Sequence, residues 1–171
     1  MEFDEILKRR HSVRRFRQSD IPLEKLEQII DAANRAPSAG NLQAYRIFAV
    51  SNQNMKGEIA VAANEQDFIA EASICLVFCA DPIKSSMEYG TRGKELYSIQ
   101  DATISATFAL LKAVDLGYAT AWIGAFNETQ LRKILGIDRL VPVAIILIGE
   151  AAEEPYVTKR RSLRSSVEMI K

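Results

Sequence analysis

The sequence is poor in the residues on which many enzyme chemistries depend. Its 171 residues include one histidine, two cysteines and one tryptophan. One histidine and two cysteines cannot complete a four-ligand zinc site, and no metal-ligand spacing occurs, which excludes a conventional zinc enzyme. Cys75 and Cys79 lie inside the apolar run Ser-Ile-Cys-Leu-Val-Phe-Cys-Ala, a setting that predicts buried reduced thiols rather than a disulfide or redox pair. The eight glycines form neither a Gly-x-Gly-x-x-Gly fingerprint nor a Walker loop, so any nucleotide must be held without a Rossmann turn or a P-loop. No apolar run approaches the roughly 18 residues of a membrane span. The opening Met-Glu-Phe-Asp-Glu lacks the basic-then-apolar layout of a signal peptide, and the expected location is the cytoplasm.

Net charge is absent too, because 22 Lys/Arg balance 22 Asp/Glu. A strongly basic polyanion binder is thereby excluded for the molecule as a whole. Charge is nonetheless segregated: residues 1–17 carry six Lys/Arg against three acids and residues 158–171 carry five against one, leaving an acidic middle.

At 48% hydrophobic and 26% charged, residues 1–171 read as one domain with one core. Phe3 to Arg10 reads as a short helix and His11 to Asp20 as a polar loop. Pro22 opens a second helix, with Leu23, Leu26, Ile29, Ile30 and Ala33 on one face, ending near Ala36-Pro37. Strands are expected at Tyr45–Val50, Ser73–Ala80, Ala119–Ile123 and Val141–Gly149, with helical pattern from Asn52 to about Glu71, broken near Asn64. Pro82 to about Lys94 reads as a mobile segment, either a lid or rim of a site or a plain surface loop. The longest helix is expected from Glu95 to Leu116, capped by Gly117, and Asn127 with Gln130 opens another. The tail after Glu150 reads as an extended polar arm. Strands and helices intermix, which indicates a layered α/β or α+β domain.

Hydrolytic chemistry fails on inspection. Ser38 sits in Ala-Pro-Ser-Ala-Gly rather than a Gly-x-Ser-x-Gly elbow, and the lone His11 lies among arginines. More suggestive is Arg9-Arg10-His11-Ser12-Val13-Arg14-Arg15-Phe16, which offers guanidinium forks, a hydroxyl and loop amides suited to a phosphate monoester. Lys159-Arg160-Arg161 offers the same.

These segments, with Ala36-Pro37-Ser38-Ala39-Gly40-Asn41-Leu42-Gln43, the stretch from Gly117 to Phe126 and the closing Lys-Arg-Arg-Ser-Leu, resemble the nitroreductase family of FMN-dependent oxidoreductases in order and spacing. The resemblance implies a single-domain α+β, three-layer fold: a central, mostly antiparallel sheet flanked by helices, assembled as a homodimer with FMN at the subunit interface. It implies hydride transfer from NADH or NADPH through FMN to a nitroaromatic, quinone or similar planar acceptor, in ping-pong fashion. Neither nucleic acid nor a membrane is an implied partner.

Carried over by position, Arg10, Ser12 and Arg14 match residues that hold the FMN phosphate, ribityl chain and pyrimidine edge, with His11 contributing mainly through its backbone. Arg160 and Arg161 match a basic pair that closes on the phosphate. Pro37, Ser38, Ala39 and Asn41 match a loop reaching the flavin of the other subunit. Gly124 and Ala125 match backbone amides near flavin N5 and O4, and Asn64 or Gln66 matches a polar ring-edge contact. No residue is expected to act as a proton-transfer catalyst. Reduction of a flavin leaves negative charge near N1 and the C2 oxygen, so Arg14, whose guanidinium stays charged, is the expected electrostatic tuner. Phe68, Tyr89, Tyr97 and Phe126 are candidates either to line an acceptor cleft or to pack in the core, and Trp122 is expected to pack.

Ala44-Tyr45 stands where relatives often carry Pro-Trp, and the C-terminal arm is short. Alternatives of the same fold are a reductive dehalogenase, a flavin-consuming enzyme, or an FMN carrier or redox sensor without turnover. A nucleic-acid-binding module using both basic ends would show strongly salt-dependent affinity and no colour.

Overall fold

In the computed structural model, which describes residues 1–170, the two long apolar runs become neighbouring strands at the centre of the sheet. The chain runs α1 (Phe3–Arg9), β1 (Phe16–Arg17), α2 (Leu23–Asn34), β2 (Tyr45–Val50), α3 (Gln53–Ala62), α4 (Phe68–Glu71) and β3 (Ile74–Ala80). It continues through α5 (Pro82–Arg92), α6 (Ser98–Asp115), β4 (Ala119–Ile123), α7 (Glu128–Leu135) and β5 (Val141–Ala151). The order across the sheet is β1-β5-β3-β2, and β4 also pairs with β5. Every strand pair is antiparallel. A single parallel bridge joins Ser12 to Thr120.

Side chains alternate across a strand, and here the alternation builds two cores. Cys75, Val77 and Cys79 face Ile59 and Ala63 from the α3 side, Ile69 of α4 and Leu131 of α7. Ile74, Leu76 and Phe78 face Ile29 and Ala33 of α2 and Ala106, Ala109 and Ala113 of α6. The result is the expected three-layer arrangement of helices, sheet and helices. Among the described residues, no helix is long and apolar enough to cross a membrane.

Three local expectations change. The segment from Pro82 is a helix rather than a mobile loop. Asp81 accepts a hydrogen bond from the Lys84 N–H at 3.0 Å and Pro82 takes the first turn, so the pair that ends β3 also starts α5. The long helix begins at Ser98, preceded by a π-helical turn over Gly93–Tyr97. Finally, the supposed loop from His11 to Asp20 contains β1, which pairs Phe16 with Ala151 and Arg17 with Glu150 and so extends β5 past Gly149. The break near Asn64, the Gly117 stop and the Asn127 cap occur as expected.

Candidate functional site

The N-terminal basic segment is threaded along β4. The Val13 N–H donates to the Thr120 carbonyl at 3.0 Å, and Val13 is buried in the core. Alternate residues of an extended chain face opposite ways, so Ser12 and Arg14 turn away from that core while His11 shares Val13's side. His11 indeed lines a small cavity of about 180 Å³ with Val13, Tyr118 and Thr120. Arg10 closes α1, its N–H bonded to the Ile6 carbonyl at 2.9 Å.

The far end of β4 brings in a second group. Asn64 Nδ2 and Gln66 Nε2 both donate to the Ala125 carbonyl at 3.4 Å, so both of the residues offered for the ring-edge contact reach the same peptide. Gly124 and Ala125 are exposed. Among the described residues their N–H groups donate to no backbone carbonyl, which leaves them free for an acceptor atom of a ligand.

Pro37–Asn41 stands apart from both. The register runs Ile123 to Ile145, Val77 and Phe48, so the loop before β2 and the turn after β4 leave the same end of the sheet at opposite edges. Three strand spacings separate those edges, roughly 14 Å. Asp101, buried in α6, fixes the loop by accepting from the Ala39 N–H at 2.9 Å and the Ala44 N–H at 3.4 Å. Ser38 Oγ accepts from the Gln43 N–H at 3.0 Å, and Gln43 Nε2 donates to Asn41 Oδ1 at 2.6 Å.

The non-glycine residues with left-handed φ are Asn41, Gln43, Asn64 and Glu65, two in each loop that bears candidate residues. Such conformations cost energy and cluster at ligand sites.

Arg160 and Arg161 are exposed in the tail. The tail's base is tied to the N-terminal segment, because Glu153 Oε1 accepts from the Arg14 N–H at 2.6 Å and Ala152 N–H donates to the Arg15 carbonyl at 2.9 Å. Among the described residues, Arg10, Arg14, Arg160 and Arg161 form no ion pair, so four guanidinium groups remain available to an anion. These features fit the FMN phosphate and ring edge: unpaired guanidinium groups, a hydroxyl beside them, and free amides at the end of the neighbouring strand.

Phe68 and Phe126 pack against one core and Trp122 against the other. Tyr89 and Tyr97 lie outside both and meet edge to face, ring centroids 5.2 Å apart. Asp101 and Glu153 escaped notice in the sequence. A lone acid inside the otherwise uncharged stretch from Ser98 to Leu111 is the signal that would have marked Asp101, whereas Glu153 carries none. Burial pushes the Cys75 and Cys79 thiols up to about 12, which keeps them protonated and outside the site's chemistry. Among the described residues no cluster suited to a metal ion occurs.

A family model described as the nitroreductase family matches residues 7–66 and 58–150 in two overlapping segments. A Thermus thermophilus protein named NADH dehydrogenase is 32% identical over 188 residues, covering 93% of this chain and 91% of that one. A Bacillus subtilis protein named FMN reductase [NAD(P)H] is 31% identical over 156 residues, covering 83% and 63% respectively. Among solved structures, a nitroreductase family protein from Clostridium novyi NT superimposes with a TM-score of 0.82 at 33% identity, over 90% of this chain and 87% of that one. The tail bearing Arg160 and Arg161 lies beyond the segments that the family model matches.

Proposed function

The chain belongs to the nitroreductase family, and from that premise we propose that it is an FMN-dependent NAD(P)H oxidoreductase acting in the cytoplasm as a homodimer. The observation that carries this reading is the division of the candidate site. The segment bearing Arg10, Ser12 and Arg14 meets β4 at Thr120, and β4 runs on to Gly124 and Ala125, while Pro37, Ser38, Ala39 and Asn41 leave the opposite sheet edge. Leaving the sheet at the opposite edge, the loop is suited to serve the flavin held by a second copy. The names of the relatives, an NADH dehydrogenase and an FMN reductase, support the same chemistry.

When bound, FMN supplies the hydride-accepting and hydride-donating centre. The residues of the chain bind and tune. Arg10 and Ser12 anchor the phosphate end, joined by Arg160 and Arg161 from the tail. Arg14 would hold the pyrimidine edge, where its permanently charged guanidinium would favour the extra negative charge of the reduced state. The Gly124 and Ala125 N–H groups orient the ring's reactive edge, and Asn64 and Gln66 hold their peptide in place through the Ala125 carbonyl. With no Rossmann turn, NADH or NADPH and the acceptor use the same open face in turn. The expected kinetics are ping-pong, with nitroaromatics, quinones or similar planar compounds as acceptors.

The test is the visible spectrum of the purified protein. The expected result is a yellow protein releasing one FMN per chain on heating and bleached anaerobically by NADH or NADPH. Protein that is colourless and takes up no added FMN would overturn the reading. Yellow protein that neither cofactor bleaches would make it a carrier or sensor instead.

A further inference from the structure

The segment joining β3 to α6 carries an unused cation beside the Pro37–Asn41 loop. A cavity of about 520 Å³ lies between that loop and α6, lined by Pro37, Ser38, Ala39, Tyr97, Asp101 and Ile104. Its volume suits one small planar molecule. Tyr97 forms one wall, and the Arg92 guanidinium sits over the Tyr97 ring at 5.5 Å with Nε donating to the Tyr97 hydroxyl at 3.0 Å. Among the described residues, Arg92 has no carboxylate partner. The one carboxylate in the wall, Asp101, is occupied by the Ala39 and Ala44 amides. The cavity thus combines largely apolar walls with one guanidinium, without a carboxylate partner, that is bonded to the hydroxyl of a wall residue.

The backbone is shaped to hold that cation there. Gly90 breaks α5 at φ 56° and ψ −139°, a conformation open only to glycine. Gly93 opens the π-helical turn, and a Cβ on it would strike the Ser85 carbonyl, so side chains are excluded where α5 doubles back. On the other side the Tyr89 hydroxyl touches Gly40, with no room between them for a Cβ. Tyr89 thus reaches the Pro37–Asn41 loop at Gly40 and meets Tyr97 edge to face, and Tyr97 in turn carries Arg92. π-helical turns of this kind recur at functional sites.

We propose that Arg92 is a specificity-determining residue that selects planar acceptors bearing a carboxylate, the conjugated ring lying along Tyr97 and Pro37 and the carboxylate pairing with the guanidinium. This rests on the flavin-dependent reading above, since the Pro37–Asn41 loop places the cavity against the partner's flavin. A planar fork suits a carboxylate better than a point charge does.

The experiment compares 4-nitrobenzoate with its neutral isostere 4-nitrobenzamide as acceptors for the FMN-loaded protein, and titrates both into the protein calorimetrically. The expected result is a KM for the benzoate about tenfold below that for the amide, with the affinities in the same order. In Arg92→Gln that ratio falls to about one, and Arg92→Lys recovers part of it. Tyr97→Phe, which removes the hydroxyl that positions Arg92, gives an intermediate ratio. Equal KM values and equal affinities in the unaltered protein would overturn the inference. So would an Arg92→Gln protein that keeps the tenfold ratio, because Arg92 would then only brace Tyr97. A protein never reduced by NADH or NADPH overturns the flavoenzyme reading instead, and the calorimetric preference still decides whether Arg92 reads a carboxylate.

Discussion

The two sheet edges that carry the candidate site are built by opposite means. At the β2 edge, the Pro37–Gln43 loop is locked from within: a buried carboxylate takes two of its amides, its own side chains bond to one another, and Tyr89 closes over Gly40. At the β4 edge, Arg10 and Arg14 are left without ion pairs among the described residues, as are Arg160 and Arg161 in the tail, and the Gly124 and Ala125 amides are exposed. One edge has spent its polar groups on shape and the other has left them unpaired. The contrast teaches where mutations act: changes at the locked edge register first in stability, changes at the open edge first in cofactor affinity.

Asp101→Ala offers the largest effect and the harshest test of that division. It strips the Ala39 and Ala44 amides of their acceptor, and Ala44 is fully buried. The expected loss is about 3 kcal/mol in urea denaturation, with Asp101→Asn losing about half of it. A loss below about 0.5 kcal/mol would show that the loop is held by something else. At the open edge, Arg14→Ala and Arg160→Ala should each weaken FMN binding by roughly tenfold to a hundredfold while leaving unfolding free energy within about 0.5 kcal/mol. The two then part company, because Arg14→Ala also lowers the flavin midpoint potential and Arg160→Ala leaves it in place. If Arg14→Ala changed stability but neither affinity nor potential, the division between the edges would collapse.

Next in size is Gly40→Ala, which probes how tightly the locked edge is closed. Gly40 holds φ 55°, and a Cβ there meets the Tyr89 hydroxyl. The expected cost is about 1 to 2 kcal/mol in the same denaturation assay. Adding Tyr89→Ala should return only part of it, because the vacated ring leaves space but the left-handed backbone remains strained.

What the amino-acid sequence made legible follows the same division. Strands β3 and β5 are apolar on both faces, which marks a central strand without further help, and the helix caps at Gly117 and Asn127 are local signals. Asp81-Pro82 misleads because one dipeptide serves as strand stop and helix start. Strand β1 has only two residues, Phe16 and Arg17, and its pairing with Ala151 and Glu150 leaves no periodicity to read. The open edge was legible through the ordered motifs of a resemblance, Arg10 to Arg14 foremost, since charge runs alone are ordinarily solvated faces. Asp101 and Arg92 were not: their partners lie in contacts made only when the chain folds, Asp101 reaching Ala39 across 62 residues and Arg92 depending on a π-helical turn.

The smallest effect tests whether the two edges are mechanically joined. Helix α1 ends in Arg10 at the open edge, and α6 carries Asp101 of the locked one. At the other end of each, the Met1 ammonium lies 2.7 Å from Asp115 Oδ1, and Lys112 Nζ lies 2.7 Å from Oδ2. Hydrogen bonds from Lys112 and then from the N-terminal ammonium hold the Asp115 carboxyl below the usual carboxylate range. A folded-state value below the unfolded one gives stability that is present above about pH 4 and fades as pH falls through the folded value. The pair is partly exposed, so Asp115→Asn should cost no more than about 1 kcal/mol near neutral pH. That difference from the unaltered protein should shrink toward zero as pH falls through the folded-state value in thermal melts. A difference that persisted in acid would mean that Asp115 holds α1 to α6 by packing rather than charge, and FMN affinity of the variant would then report how far the docking of α1 sets the position of Arg10.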